Sequence, residues 1–405
     1  MNSSQSFWRR LVETTRETQW LLPLVGAAVG VLLALALGLV DASPDEVNWT
    51  FTVSEGRGAL LSWLSILFAA FAIILALATL TIQNVISKYS VRMYRLYQRD
   101  LRDRYVLALF AMTATYIVTE QILLRSANPG DPVPVTGFII AFLLLIATGI
   151  AMIWYISTIT RWFRVDQVAR RVAKRLLTVA DIGDSLRTGT VPASPSDLDR
   201  PVGALPIRAR GTGYLVEPHP RDLIAAMPSG ASTAAITRVH GSPVVQGQEI
   251  GWLAMSDSGT SDGGAADRIS AVIETESAQG VSGSIGYGIV VLVDTAIMAL
   301  SPAVNDPNTA VQILEELTFL FVGLSSHKLG SYAVRSEHSE RAAIVRSRSF
   351  SEYLRIGTEQ IVLYGKDDPF VVHALERMVA SLSATDLPAT DRAAVDDLAM
   401  RIASL

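Results

Sequence analysis

The sequence predicts a multi-pass α-helical membrane protein with four transmembrane helices and a mixed α+β cytoplasmic C-terminal domain. Two observations support the membrane part: four long apolar segments lie within residues 1–160, and the basic residues are concentrated in alternate loops. A third observation supports the second part, because charged residues and glycine-rich turns return after residue 165. We therefore expect a membrane domain over residues 1–165, followed by a region long enough to bury its own core.

The four apolar segments lie at about 20–40, 60–86, 105–124 and 135–160, and Glu120 is the only acidic or basic residue in them. A helix rises about 1.5 Å per residue, so about 20 residues cross a hydrocarbon core about 30 Å thick. Each segment reaches that length. The first segment exceeds the usual apolar core of a signal peptide, and no small-residue cleavage site follows it, so we expect it to be a span.

The loops between these segments differ in their content of lysine and arginine. Six basic residues lie within 88–104 and six within 161–175, whereas the other two loops hold one arginine each. Short loops rich in lysine and arginine stay on the cytoplasmic side of a membrane. This distribution predicts that both termini are cytoplasmic.

The region after residue 165 divides into three parts. A juxtamembrane helix and a linker rich in Gly, Ser and Pro are expected over 166–210, a small β-rich module over 211–268 and a mostly helical part over 269–405. The turn glycines of 240–255 predict hairpins similar to the half-barrels of biotinyl and lipoyl carriers. Those carriers attach their cofactor to a lysine, and none occurs between Lys174 and Lys328. The module is therefore interpreted as structural, and no cofactor is predicted.

Composition argues against several partners and chemistries. Residues 166–405 hold 21 basic and 28 acidic side chains, and this acidic balance argues against nucleic acid as a partner. The chain has no cysteine, which excludes disulfides, thiol catalysis and cysteine-ligated metal. The five histidines follow no metal-ligand spacing, and no phosphate-binding or zinc-protease motif occurs. We expect no enzymatic activity, and the identity of any metal is unknown.

Segment 285–304 allows two interpretations, a fifth span or a buried helix of the soluble domain. It is strongly apolar except for Asp294, Thr295 and two glycines. It lacks a basic flank at either end, and a fifth span would place the last hundred residues on the other side of the membrane. We therefore expect a buried central helix.

One segment carries a family resemblance. The run LVDTAIMALSPAVNDPNTA at 292–310 resembles the signature of a large family of bacterial predicted membrane proteins, catalogued as domain of unknown function 2254. The basic loop at 85–110 and the glycine-punctuated hairpin at 240–253 are also similar to that family. Residues 284–288, SIGYG, depart from it, because the family often has an acidic residue and Phe-Gly there. The resemblance implies the topology, the order of parts and a bacterial inner-membrane location, but no biochemical activity.

The signature has a structural and a functional interpretation. As structure, Pro302 ends one helix, Asp306 caps the next, and Asn305 occupies the turn between them. As function, the free N–H groups of a helix start attract an anion, or side-chain oxygens coordinate a cation. The candidate ligand or ion site consists of Asp294, which needs a partner or ligand inside an apolar helix, with Ser301, Asn305, Asp306 and Thr309.

Polar residues within the spans form a second candidate set. Gln83 and Asn84 lie near the inner end of the second span, and Glu120 and Gln121 near the outer end of the third. The two amides suit either a pore lining or hydrogen bonds between helices. Glu120 either snorkels into the interface or faces the bundle interior or an aqueous path, where an intramembrane carboxylate marks function.

These patterns lead to two functional hypotheses. The first is an oligomeric ion channel or transporter with a cytoplasmic regulatory domain. Four spans are too few to enclose a wide path, so a homo-oligomer in the lipid bilayer is predicted. The alternative is a membrane-anchored cytoplasmic ligand-binding, signalling or scaffold module without transport.

Overall fold

The fold is given by a computed structural model, which divides the chain into two compact units. One unit comprises Met1–Ser87 and Tyr97–Phe163, and the other comprises Lys88–Leu96 and Arg164–Leu405. We call them the membrane unit and the C-terminal unit. The structure describes residues 20–40, 52–88, 102–131, 133, 135–161, 165–228, 230–256, 264–277, 284–336 and 340–405.

The described part of the membrane unit consists of helices. Four of them are long and apolar enough to cross a bilayer, which confirms the predicted fold class for this part of the chain. The second helix begins seven residues before the predicted start of its span, because its first turns contain polar residues that hydropathy does not detect. The helices are α1 (Leu21–Val40), α2 (Val53–Lys88), α3 (Arg102–Leu123) and α4 (Val135–Arg161).

Glycines bring α1 and α3 into close contact. A Cβ at Gly26 would overlap the Ala108 carbonyl oxygen, and a Cβ at Gly30 would overlap that of Met112. Small residues four positions apart let two membrane helices approach at backbone distance, where van der Waals contacts hold them. The outward faces of the helices carry large exposed apolar side chains, as a lipid-facing surface requires.

The C-terminal unit is a mixture of helices and strands, so the α+β part of the predicted fold class is also confirmed. Its helices are α5 (Val165–Leu186), α6 (Pro220–Ala226), α7 (Ala265–Ser270), α8 (Ile285–Leu300), α9 (Pro307–Leu324), α10 (Phe350–Gly365), α11 (Pro369–Ser383) and α12 (Ala389–Ala403). Its strands are β1 (Val191–Pro192), β2 (Leu205–Arg208), β3 (Gly213–Leu215), β4 (Ala231–Ile236), β5 (Pro243–Val244), β6 (Glu249–Met255), β7 (Thr275–Glu276), β8 (Tyr332–Arg335) and β9 (Ala342–Val345).

The strands form two sheets. The larger has the order β1-β8-β9-β4-β6-β2, and the smaller has the order β5-β3-β7. The larger sheet extends beyond the range 211–268 that the sequence suggested for a β-rich module. Its pairs are antiparallel except β4 with β9, which are parallel and align Ile236 with Val345. The carboxyl ends of β4 and β9 therefore open at the same edge.

Helix α8 lies in the interior of the C-terminal unit. Ile289, Val291, Leu292 and Ala296 are fully buried. A Cβ at Gly288 would overlap the Leu176 side chain, so α8 and α5 pack closely at that point. With 16 residues, α8 is shorter than the roughly 20 that a span needs. Burial thus accounts for its apolar sequence.

Candidate functional site

The signature segment connects α8 to α9 through local hydrogen bonds. The Ser301 Oγ donates to the Met298 carbonyl at 2.7 Å, and the Asn305 N–H donates to the Ser301 carbonyl at 2.8 Å. Asp306 is the N-cap of α9: its Oδ1 accepts from the Thr309 N–H at 3.3 Å and its Oδ2 from the Thr309 Oγ1 at 2.7 Å. Asn305 has a φ of 49°, which its short polar side chain tolerates.

The other candidate of this set, Asp294, is half-buried on α8. It lies two helical turns before Ser301, so the α8 backbone separates it from the capping residues. Within the described ranges, no three His, Asp or Glu side chains form a group that could hold a metal ion. Ser301, Asn305, Asp306 and Thr309 thus lie at the connection of α8 to α9, whereas Asp294 lies within α8.

The polar side chains of α3 bond to the three other membrane helices. The Thr115 Oγ1 donates to the Ala27 carbonyl of α1 at 2.9 Å, and the Gln121 Nε2 donates to the Arg57 carbonyl of α2 at 2.5 Å. The Tyr116 hydroxyl donates to the Gly137 carbonyl of α4 at 3.0 Å. These bonds place Gln121 between helices and make α3 the centre of the bundle.

Glu120 lies inside this bundle. Its exposed fraction is 4%, and a Cβ at Gly137 would come within 2.5 Å of its Oε1. The carboxylate therefore packs against α4 at a position where only glycine leaves room. Gln83 is exposed on α2, whereas the side chain of Asn84 lies outside the described residues.

Sequence reasoning missed an exposed stripe of small and polar residues on α2. Its members recur at alternating steps of four and three residues, which places them on one face of a helix. At 1.5 Å per residue they extend over about 38 Å, enough to cross the bilayer. The signal was present in the sequence as this spacing. We call these residues the second-span stripe: Gly58, Ser62, Ser65, Ala69, Ala72, Ala76, Thr79 and Gln83.

A cavity of about 50 Å³ lies in the C-terminal unit, at the edge where β4 and β9 end. His240 follows β4, and Ser347 and Arg348 follow β9. Because the carboxyl ends of neighbouring parallel strands open at the same edge, the residues that follow them meet there, as in many α/β ligand sites. The start of α8 and the end of α5 complete the wall, with Ser284 and Arg187.

Arg187 is the most highly bonded residue of this wall and is 7% exposed. Its Nη2 donates to the Ser347 Oγ at 2.7 Å and lies 3.6 Å from the Glu217 Oε1. Its guanidinium carbon lies 4.5 Å from the centre of the Tyr332 ring, in cation–π geometry. The Tyr332 hydroxyl donates to Glu217 at 3.0 Å, and burial, followed by the Glu217 charge, raises the pKa of this tyrosine.

Tyr353 and Arg348 face the cavity beside the first turn of α8. A Cβ at Gly286 would come 2.9 Å from the Arg348 Nη1 and 3.6 Å from the Tyr353 Cε1, so both side chains rest against this glycine. Tyr353 is 7% exposed, and its hydroxyl makes no hydrogen bond to the described part of the chain. Burial raises its pKa to about 12, although Arg348 acts in the opposite direction.

Sequence reasoning did not find this cavity. Its polar and charged residues come from segments around 187, 217, 240, 328 and 348, which no local spacing connects. The one available signal was the departure from the family pattern at 284–288, since Ser284 and Gly286 lie at the cavity wall.

Comparisons with known proteins agree with the membrane architecture. The model of a family described as "Predicted membrane protein (DUF2254)" matches residues 16–381. Two uncharacterized proteins, one of Mycobacterium bovis and one of Mycobacterium tuberculosis, are each 27% identical over 393 residues. The matches cover 93% of this chain and 74% of each relative. No solved structure matches the chain significantly.

Proposed function

The chain belongs to the family described as "Predicted membrane protein (DUF2254)". We propose that it acts in the membrane as an oligomeric channel or transporter. In this proposal copies of the chain surround a path for an ion or small solute, and the C-terminal unit regulates it without enzymatic chemistry. The mycobacterial relatives favour a bacterial inner-membrane location, and the distribution of basic residues favours cytoplasmic placement of both termini.

The second-span stripe carries the proposal. Large apolar side chains flank it, among them Ile66, Ile73 and Leu80, each more than half exposed. A helix face that contacts only lipid does not require a continuous line of small and hydroxyl-bearing residues. Contacts between membrane helices, in contrast, are enriched in these residue types. Small side chains also leave space along a helix that lines a path. The stripe is therefore the face on which we expect copies of the chain to meet.

The interior of a single membrane unit is filled by side chains, which favours a path between copies of the chain over a path through one copy. Leu60, Tyr116 and Ile117 are at most 1% exposed and fill the bundle centre. The stripe hydroxyls need no water, because the Ser62 Oγ and the Thr79 Oγ1 donate to carbonyls one turn earlier at 2.9 Å and 2.8 Å. The stripe can thus face either lipid in a free protomer or a neighbouring copy.

Ion flux into liposomes that contain the purified full-length protein tests the proposal. Ala72→Leu adds bulk at the middle of the stripe, and Ala147→Leu adds the same bulk at an exposed position of α4. We expect flux of at least one of K⁺, Na⁺ and Cl⁻ from the wild type and from Ala147→Leu. Ala72→Leu should reduce it to the level of protein-free liposomes.

Two results contradict the proposal. The first is a wild-type protein that remains monomeric and passes none of the three ions. The second is equal loss of flux in both leucine variants, because that would remove the role of the stripe. Glu120→Gln extends the test, since a change in ion selectivity places this buried carboxylate on the path.

The cavity of the C-terminal unit favours a second candidate function, a membrane-anchored ligand-binding module without transport. Its support is that Arg187 and Arg348 line this cavity together with the nearly buried Tyr353. Ligand binding by a protein that passes no ion in the liposome assay would favour this function over transport.

A further inference from the structure

We infer that the cavity at the start of α8 binds a small oxyanion, either free or as the phosphoryl group of a larger soluble metabolite. The inference goes beyond the transport proposal and does not depend on it, because its site lies wholly within the C-terminal unit. It gives a chemical class to the ligand of that unit. The groups that carry it are the Arg348 guanidinium, the Tyr353 hydroxyl and the first N–H groups of α8.

The positive charge of the residues that line the cavity favours binding of an anion. Arg187 and Arg348 line the cavity, and Glu217 is the one acidic residue among its described lining residues. Glu217 is held by the Arg187 Nη2 at 3.6 Å and by the Tyr332 hydroxyl at 3.0 Å, so its charge is compensated on its own side of the cavity. The Arg348 guanidinium then contributes positive charge in excess.

His240 brings no acidic group to the wall. Its Nδ1 accepts the Glu217 backbone N–H at 2.8 Å, which fixes the ring beside the cavity.

Tyr353 is the group that points most directly to a ligand. A tyrosine side chain that is 7% exposed usually directs its hydroxyl to a polar partner. Tyr353 lines the cavity, and its hydroxyl has no hydrogen-bond partner among the residues that the structure describes. Its raised pKa keeps it protonated at neutral pH, so it can donate to an anion that enters the cavity.

The first turn of α8 supplies further donors beside Tyr353. Ser284 accepts the Tyr287 N–H at its Oγ and the Gly288 N–H at its carbonyl. Among the described residues no acceptor serves the N–H groups of Ile285 and Gly286, and such groups at a helix start favour anions. Arg348 lies against the same turn, and its guanidinium donates to one described residue, the His240 carbonyl, at 3.3 Å.

The size of the cavity limits the ligand. A water molecule needs about 10–15 Å³ of such space, so about 50 Å³ admits a tetrahedral oxyanion. A whole nucleotide does not fit inside. A larger metabolite could place its phosphoryl group there and leave the remainder outside.

Equilibrium dialysis of the full-length protein in detergent against labelled inorganic phosphate tests the inference. The ionic strength is held constant with NaCl so that non-specific attraction does not change. We expect saturable binding at one site per chain. Tyr353→Phe should weaken it about tenfold or more, as expected for the loss of one hydrogen bond to a charged group. Arg348→Gln should weaken it at least as much.

Two further variants distinguish a specific loss of phosphate binding from a general loss of folded protein. Gly286→Ala introduces a Cβ 2.9 Å from the Arg348 Nη1, so it should weaken phosphate binding although alanine favours the helix. Arg392→Gln removes an exposed arginine from α12 and should leave binding unchanged. Competition by glucose 6-phosphate indicates that the site accepts a phosphoryl group on a larger molecule; its failure limits the ligand to a free oxyanion such as phosphate or sulfate.

Three results overturn the inference. One is no saturable binding of phosphate or sulfate by folded wild-type protein at millimolar concentrations. Another is phosphate binding that Tyr353→Phe leaves unchanged, and the last is equal weakening by Arg392→Gln and Arg348→Gln. None of these concerns ion flux, so failure of the anion site and failure of the transport proposal are separately observable.

Discussion

Replacement of Arg187 by methionine is the stability test that the structure specifies best. Methionine keeps the length and apolar volume of the side chain but removes the guanidinium. The change leaves the Ser347 hydroxyl without its donor and removes the Arg187 partner of Glu217. It also removes the hydrogen bonds that Arg187 donates to the carbonyls of Lys328 and Gly330.

The expected loss in the free energy of unfolding depends on how deeply the two side chains of the Arg187–Glu217 ion pair are buried. Breaking a fully buried ion pair costs about 3–5 kcal/mol. The Arg187 side chain is 8% exposed but that of Glu217 is 34% exposed, and Glu217 keeps its bond from Tyr332, so we expect about 3 kcal/mol, near the lower limit. For a unit of this size each kcal/mol lowers Tm by about 2–4 °C, which gives a decrease of about 6–12 °C.

Thermal denaturation of the full-length protein, followed by circular dichroism in one detergent, measures this decrease. Arg187→Lys keeps the charge but loses the planar fork, so its Tm should lie between those of wild type and Arg187→Met. Arg392→Met, at an exposed position of α12, should change stability by no more than about 0.5 kcal/mol. A Tm for Arg187→Met that matches this control would refute the assigned role of the arginine.

Three further predictions use the same protein and detergent. Gly30→Val should prevent close packing of α1 on α3 and abolish the folded membrane unit, whereas Gly149→Ala, with open space around its Cβ, should fold normally; equal yields of folded protein would contradict this. Asp306→Ala should lower stability by about 1 kcal/mol through loss of the α9 cap and Asp306→Ser by much less, as denaturant titration can show. A larger loss in Asp306→Ser would contradict a pure capping role. Burial raises the pKa of Tyr353 from 10.0 to about 12, so the folded state holds a proton that the unfolded state loses between these values. Stability should therefore fall by about 2 kcal/mol as pH rises from 10 to 12 and fall less in Tyr353→Phe, and equal pH profiles would contradict the assignment.

The membrane helices were predictable because the lipid around them requires long apolar segments in the sequence. In lipid a spanning helix must be apolar for about 20 residues, and this requirement alone locates α1, α3 and α4 within a few residues. The start of α2 was not predictable in this way. Its first turns contain Ser54, Glu55 and Arg57, which lie in the helix but not in the hydropathy signal.

The capping geometry at the α8–α9 connection was predictable because it is local. Asp306 bonds to the residue three positions later, and that spacing can be seen in the sequence. Whether these residues also bind a ligand stays a prediction.

The larger sheet and the cavity were not predictable, because they depend on distant pairing. β4 lies beside β9 although two long helices separate them along the chain. That pairing brings His240 to Arg348, whose Nη1 donates to the His240 carbonyl. No periodicity or motif encodes such a meeting. In the sequence Tyr353 has the spacing of an ordinary apolar-face residue of a helix, and only the fold places it at the cavity wall.

Cross-linking of single cysteines in the membrane tests most directly the central claim, that copies of the chain meet at the second-span stripe. The natural chain has no cysteine, so Ala72→Cys and Ala147→Cys each introduce one unique thiol at an exposed position. With a short bismaleimide, Ala72→Cys should give covalent dimers in native membranes and Ala147→Cys should give none. Dimers from Ala147→Cys alone, or no dimers from either variant, would contradict the claim.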